Sequence, residues 1–333
     1  MNGFIKASIA LAIAVVAILF FGYQSTDSKI LTKEPLPSVK IAVSTTPLSA
    51  PFYIADRKGF FEAEGINAEL IPLAGGTKCF SALLKNEVDL ATSSNSVIMF
   101  NGFKYDHFTV LSSFVESDND IKLMSLSGSG ITQAKDLIGK SVGIVKGSAS
   151  EYFLHTWLTL SGVDPNKVST KHYSVVDLPK VLSLGEVSAI SVWEPYAFTS
   201  ASNKNNPARP LDTKGLYNLS FNLVGLKGDT DNIANEQQVL AALNRAVHFI
   251  AEHPEESQMI LREKLQLSQA FIDWIWQDYL FKLSLNQSQV SSIEQQARWA
   301  IESKLVISDT TPDFIQFFDA TALQKIDPHA SSL

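Results

Sequence analysis

Leu83-Leu84-Lys85-Asn86-Glu87-Val88-Asp89-Leu90 and Leu182-Ser183-Leu184-Gly185-Glu186-Val187-Ser188-Ala189 decide the fold between them. Each closes a helical pattern, turns, and runs into an apolar strand. Leu83 matches Leu182 and Leu90 matches Ala189, an offset of 99. Ile41 matches Val142 at an offset of 101, and Gly65 matches Gly162 at 97. A near-constant offset across separate landmarks is the mark of one unit written twice.

Outward from the first copy, residues 39–43 read as a strand. Pro51 occupies a favoured first helical position, and the helix it starts runs over 52–61. Gly65 stops the turn that follows, and residues 66–72 alternate as a strand. Gly75-Gly76 is a tight loop, Thr77 caps a helix through residue 85, and 88–91 is a strand. Residues 92–95 read as a polar loop leading into an apolar helix from Val97. The second copy repeats the order: strand 141–145, a helix opened by 147–151, strand 171–175, helix 178–184 and strand 189–192. Strands alternating with helices imply parallel units with right-handed crossovers.

The copies are joined by strands at 108–114 and 121–126, separated by the polar break 116–120. That break reads as a crossing between two lobes. Residues 203–210 read as a surface loop, and 219–226 as a strand returning the chain to the first lobe. The remainder reads as helical. Residues 235–252 carry an apolar stripe, Pro254 starts the next helix, 268–280 forms an aromatic-rich helix, and a last helix runs to Lys304. The expected boundaries are 39–117 and 220–333 for lobe one, and 118–219 for lobe two.

Ser191-Val192-Trp193-Glu194-Pro195-Tyr196 ends the second copy. Pro195 stops the strand, so a large aromatic and a carboxylate sit at its C-terminal end. Open α/β sheets bind ligands there. Loops rich in hydroxyl, amide and glycine groups follow the other strands. They supply Thr45 and Thr46 after the first strand, Gly76 and Thr77 after the second, and Ser94 and Asn95 after the third. In lobe two Ser148, Ala149 and Ser150 open a helix, and Ser148 with Glu151 forms a capping box. A helix N-terminus just beyond a strand offers free N–H groups to an anion or a polar acceptor. Ser94 and Trp193 stand at the offset of 99, so the sequence places them on opposite walls of one cleft. A carboxylate at Glu194 beside these donors implies a ligand with a cationic or N–H donor part as well as an acceptor part, and disfavours bare nitrate.

The chain has 333 residues, 45% of them hydrophobic, and a net charge of −7. That suffices for about two domains. No basic stripe exists, which excludes a nucleic-acid partner. There is one cysteine, Cys79, so no internal disulfide and no multi-cysteine metal site can form. The six histidines show no metal-type spacing. No Walker loop, Gly-x-Ser-x-Gly or zinc motif is present, so no cofactor and no metal is expected. Cys79 lies in the first turn of a helix near the cleft, where a thiol is open to activation.

Residues 1–6 carry one positive charge, Lys6, and 7–23 form an uncharged apolar run long enough to span a bilayer. Residues 21–25 make a poor cleavage site, and no cysteine follows for lipidation. The reading is an export segment at 1–25, either retained as an inner-membrane anchor or inefficiently cleaved, then a linker at 26–38 containing Pro35 and Pro37, with the folded part in the periplasm.

Taken in order, Pro51-Phe52-Tyr53-Ile54-Ala55, Gly59-Phe60-Phe61-Glu62, Gly65-Ile66, Asp136-Leu137-Ile138-Gly139-Lys140, Gly147-Ser148 and Trp193-Glu194-Pro195-Tyr196 resemble the substrate-binding proteins of ABC importers of the nitrate/sulfonate/taurine type, relatives of the fungal thiamine-pyrimidine synthases. The resemblance covers residues 39–306. It implies a two-lobed α/β fold of the periplasmic binding protein type 2, each lobe a mainly parallel sheet flanked by helices, with a helical C-terminal segment packed on lobe one. It implies a monomer that closes on a sulfonate-, taurine- or pyrimidine-like ligand and meets a membrane permease and its ATPase. It also carries Tyr53 into the ligand-binding set. The chain departs from the family at Ser188, where Asp is usual, and lacks both a lipobox and the cysteine cluster of the pyrimidine synthases. Two alternatives stay open: a desulfinase-like enzyme using Cys79, and a membrane-tethered ligand sensor.

Overall fold

Strand β1 (Ser38–Ser44) buries every residue from Ile41 onward, and pairs in parallel with β2 (Asn67–Leu73) on one side and β3 (Leu90–Ser94) on the other. A computed structural model of the chain describes residues 35–228 and 233–333. Residues 37–333 form one compact unit. The export segment expected at 1–25 lies outside the described residues, as does most of the linker. Among the described residues no helix is long and apolar enough to cross a membrane.

The described residues form two sheets. The first has the order β11-β4-β10-β3-β1-β2, with β4 at Phe108–Ser117, β10 at Leu219–Leu226 and β11 at Leu280–Ser284. The second has the order β7-β6-β8-β5-β9. Its strands are β5 (Ile121–Leu126), β6 (Ser141–Ile144), β7 (Ser169–His172), β8 (Ala189–Trp193) and β9 (Ala208–Pro210). The repeat read from the sequence is present in the register itself. Ile41 pairs with Leu90 and Ala42 with Ala91 in the first sheet; Val142 pairs with Ala189 and Gly143 with Ile190 in the second.

Both sheets are mixed rather than mainly parallel. Beyond β3 and β8 the pairings become antiparallel, because the strands that carry the chain between lobes must run against the strands they join. Those registers also fix which edges face each other. Phe221 pairs with Ser94 and Leu219 with Ser117, so the first crossing leaves and the second enters at the C-terminal edge of β3. Ile121 pairs with Trp193, so the first crossing arrives at the C-terminal edge of β8. Both loop-bearing edges therefore lie at the crossings.

Helices cover the sheets. On lobe one are α1 (Ala50–Arg57), α2 (Phe60–Ala63), α3 (Gly76–Leu84) and α4 (Asn95–Gly102). Lobe two carries α5 (Ala149–Leu160), α6 (Leu178–Ser183) and α7 (Tyr196–Ala201). The C-terminal segment holds α8 (Ile233–Glu252), α9 (Pro254–Leu265), α10 (Gln269–Ile275), α11 (Gln287–Glu302) and α12 (Thr321–Ile326). It packs on lobe one: α8 lies against α1, α2 and α12, and α11 against α4. The core of that lobe is aromatic. Phe52 meets Phe114 edge-on at 4.9 Å and Phe80 meets Phe108 at 5.0 Å, all four fully buried.

Four elements differ from the sequence reading. The strand expected at 171–175 lies earlier, at Ser169–His172, and Val175–Asp177 is a short 3-10 turn. Residues 92–94 are strand, not loop. Thr92 and Ser93 are polar yet buried, and Thr92 Oγ1 accepts the Ser44 N–H at 2.9 Å and so links β3 to β1 through a side chain. Residues 208–210, read as loop, form the edge strand β9 against β5. The aromatic helix expected over 268–280 stops at Ile275, and the chain turns into β11 because β4 offers an open edge at Val115 and Glu116.

Candidate functional site

Five helices start just past strand ends at the facing edges. After β1, Thr45 is exposed and Thr46 half-buried ahead of α1. Thr45 is held by its N–H and hydroxyl on the Leu73 carbonyl. Gly76 opens α3 in a tight space: a Cβ there would stand 3.1 Å from the Ser93 Cα, the Ser94 N and the Phe221 ring, so these neighbours would have to give way. Thr77 beside it is exposed. Ser94 is half-buried and caps α4, accepting the Val97 N–H.

In lobe two, Ser148 Oγ donates to the Val145 carbonyl at 2.6 Å and accepts the Ser150 N–H at 3.2 Å. The Glu151 carboxylate accepts the Gly147 N–H at 2.7 Å, which fixes the loop and uses that charge internally. Ser150 and Ser191 are fully buried and exchange hydrogen bonds, each hydroxyl donating to the other's carbonyl at 2.6 and 2.7 Å. Ala149 and Trp193 are half-buried at the same edge.

Four candidates sit differently from the rest. Tyr53 is 2% exposed and donates to the Ser44 carbonyl at 3.1 Å; burial pushes its phenol pKa up. It supports the β1 loop from beneath. Asn95 is buried, accepts the Tyr217 hydroxyl at 2.9 Å and donates to the Asn218 carbonyl at 3.3 Å. It ties α4 to the second crossing. Ser150 is committed to Ser191.

Glu194 departs furthest from its sequence reading. Its side chain is 1% exposed, and both oxygens are taken by protein groups. Oε1 lies 3.0 Å from Lys122 Nζ and accepts the Trp274 indole N–H; Oε2 accepts the Phe198 N–H at 3.1 Å. The inference of a cationic ligand group rested on a free carboxylate here, and Lys122 removes that premise.

A buried polar cluster surrounds this pair. Lys122 also reaches Asp278 at 3.6 Å and the Asn119 carbonyl. Asp278 accepts from Asn119 Nδ2 at 2.8 Å and from Lys214 at 3.1 Å. Tyr279 donates its hydroxyl to Asp120 at 2.7 Å. Burial pushes the Asp120 pKa up to about 7; the Tyr279 bond and Lys122 oppose the shift, and the charges of Glu194 and Asp278 add to it. Sequence reading missed Lys122, Trp274, Asp278 and Tyr279. One signal was available for Lys122: a lone cation inside the apolar strand Ile121–Leu126 demands a buried partner.

Cys79 is fully buried among core side chains, and burial pushes its thiol pKa up to about 11. A thiol so held is not the ready thiolate that nucleophilic chemistry needs. Among the described residues no group of three potential ligands could hold a metal ion.

A family model, described as NMT1/THI5 like, matches residues 46–257. The chain belongs to the NMT1/THI5-like family. The match starts at Thr46 and spans both lobes through α8. A protein of Bacillus subtilis (strain 168) named "Putative aliphatic sulfonates-binding protein" is 25% identical over 215 residues, 62% of this chain and 64% of that protein. The "Putative binding protein YtlA" of the same organism is 35% identical over 82 residues, 24% of each chain. The chain thus spans less than two thirds of the length of these curated relatives. Among solved structures, the periplasmic aliphatic sulphonate binding protein SsuA from Escherichia coli superposes with a TM-score of 0.72 at 19% identity, covering 85% of this chain and 97% of that one. The family member in hand therefore has the two-lobed periplasmic binding protein fold.

Proposed function

We propose that this chain is the solute-binding component of an ABC-type importer, and that it holds a small anionic organic ligand of the sulfonate class between its lobes. One observation carries the reading. The facing edges present helix N-termini and hydroxyls, while the two carboxylates at those edges, Glu151 and Glu194, are committed to Gly147 and Lys122. Such a wall offers donors and little repulsion to an anion. The relatives named for sulfonates agree with this class.

The ligand surface in this reading is Thr45, Thr46, Gly76, Thr77 and Ser94 from lobe one, with Ser148, Ala149 and Trp193 from lobe two. Tyr53, Asn95, Ser150 and Glu194 act behind it, holding the loops in place. Binding shifts the lobes from open to closed, and the closed form is what a membrane permease with its ATPase recognises. The protein works in the periplasm without catalysing a reaction; the buried, high-pKa Cys79 supports this over the desulfinase-like alternative.

A thermal-shift screen tests the proposal with ethanesulfonate, taurine, sodium nitrate and a 4-amino-pyrimidine as probes. A sulfonate at about 100 times its Kd stabilises the protein by about 2.7 kcal/mol. Stabilisation by the pyrimidine alone, or by none of the four, overturns the sulfonate assignment.

A further inference from the structure

The covalent crossings at 118–120 and 211–218 are not the sole link between the lobes. Trp274, Asp278 and Tyr279 belong to the segment that packs on lobe one and leads into β11. Lys122, Glu194 and Phe198 belong to lobe two. Between them run a buried ion pair, an indole hydrogen bond and an aromatic contact, since the Phe198 ring lies 5.2 Å from Phe271 and 6.0 Å from Trp274. Asp278 goes further. It holds Asn119 of the first crossing, Lys214 of the second, and Lys122 of lobe two at once. One carboxylate thus gathers both crossings and the lobe beyond them.

We infer that Asp278 and Trp274 are positioning residues that set the angle between the lobes of the binding protein proposed above, and that Glu194 is their counterpart in lobe two rather than a ligand contact. Two chain connections alone define a hinge axis, and leave rotation about it free. A third contact, in which Asp278 joins both crossings and Trp274 reaches Glu194 and Phe198, restrains that rotation. Its groups are suited to this work. The Trp274 ring lies 6.0 Å from that of Phe198 and has the Lys122 ammonium over it at 5.7 Å. The Glu194 side chain is locked by three donors. Because Glu194 directly follows Trp193, any shift of this anchor moves the aromatic wall of the cleft with it.

The test measures the interlobe distance in the full-length chain without ligand, so its outcome is independent of which solute binds. Spin labels are placed at Lys78→Cys on the lobe-one rim and Lys146→Cys on the lobe-two rim, both exposed positions; the buried Cys79 is replaced by Ala in every sample. Distances are read by double electron–electron resonance. Asp278→Asn and Trp274→Phe each lengthen the mean distance and broaden its distribution, while circular dichroism remains that of the parent. Trp274→Phe keeps an aromatic ring but loses the N–H together with the five-membered part of the indole, so it is the variant that remains informative if Asp278→Asn fails to fold. Distributions that match the parent in both variants, or in Trp274→Phe alone if Asp278→Asn does not fold, overturn the inference. Failure of every probe in the thermal-shift screen, with widened distances here, would sink the ligand assignment and leave the anchor standing.

Discussion

Lys122 and Glu194 face each other across 3.0 Å with side chains 4% and 1% exposed. A charge buried to that degree is tolerated only with a partner. Removing Lys122 leaves Glu194 and Asp278 together in a dry site, so Lys122→Met costs about 3–5 kcal/mol of stability. Lys122→Met combined with Glu194→Gln costs less than the sum of the single changes, because the uncompensated charge goes with the partner. Urea midpoints of the four proteins in this cycle measure the coupling; additive losses would contradict it.

Asp120 sets a pH dependence of definite sign. Its carboxyl titrates near 3.8 in an unfolded chain and about 7 in the fold. The folded state therefore binds the proton more tightly, and the stability this contributes is present at low pH and lost as pH rises through 7. Asp120→Asn still accepts the Tyr279 hydroxyl but carries no charge. The variant gains stability relative to the parent on going from pH 5 to pH 8, read as a diverging pair of denaturant midpoints. Parallel midpoints would mean that Asp120 is not a source of the pH response.

Cys79 is expected to be silent. With its thiol pushed up to about 11 and no exposed surface, an aromatic disulfide reagent at pH 8 reacts only as fast as the fold opens. Labelling is slow in buffer and immediate in denaturant. Prompt labelling of the native chain would restore the nucleophile as a serious alternative.

Gly76 is where the backbone of the α3 start meets β3. The added methyl of Gly76→Ala has backbone on one side and the Phe221 ring on the other, each at 3.1 Å. Relief requires moving the start of α3 away from Ser94. The expected cost is about 1–3 kcal/mol, with a further loss of ligand-induced stabilisation because the loop moves with the helix.

Much of the architecture was legible because it is local or periodic. The eight residues from Leu83 to Leu90 and their counterpart at 182–189 share turn chemistry and an apolar exit. The paired registers Ile41–Leu90 and Val142–Ala189 bear that reading out. The strand Leu219–Leu226 was read to the residue for the same reason. What failed was pairing at a distance. Glu194 and Trp274 are 80 positions apart, and nothing in either neighbourhood announces the other. A carboxylate at a strand end looks identical whether it meets solvent, solute or a lysine. β11 was hidden differently, since residues 268–280 hold enough aromatic side chains at helical spacing to suit a helix, and only the open edge of β4 turns the last of them into a strand.

The two lobes also differ in how the ribosome delivers them. Every strand of the second sheet lies within residues 121–210, so its whole hydrogen-bonded frame is complete once that stretch has emerged. The first sheet cannot close until β10 (Leu219–Leu226) and β11 (Leu280–Ser284) arrive, long after β1 (Ser38–Ser44). Lobe two is therefore the part able to fold early, whereas the earliest-made strands wait exposed for the latest.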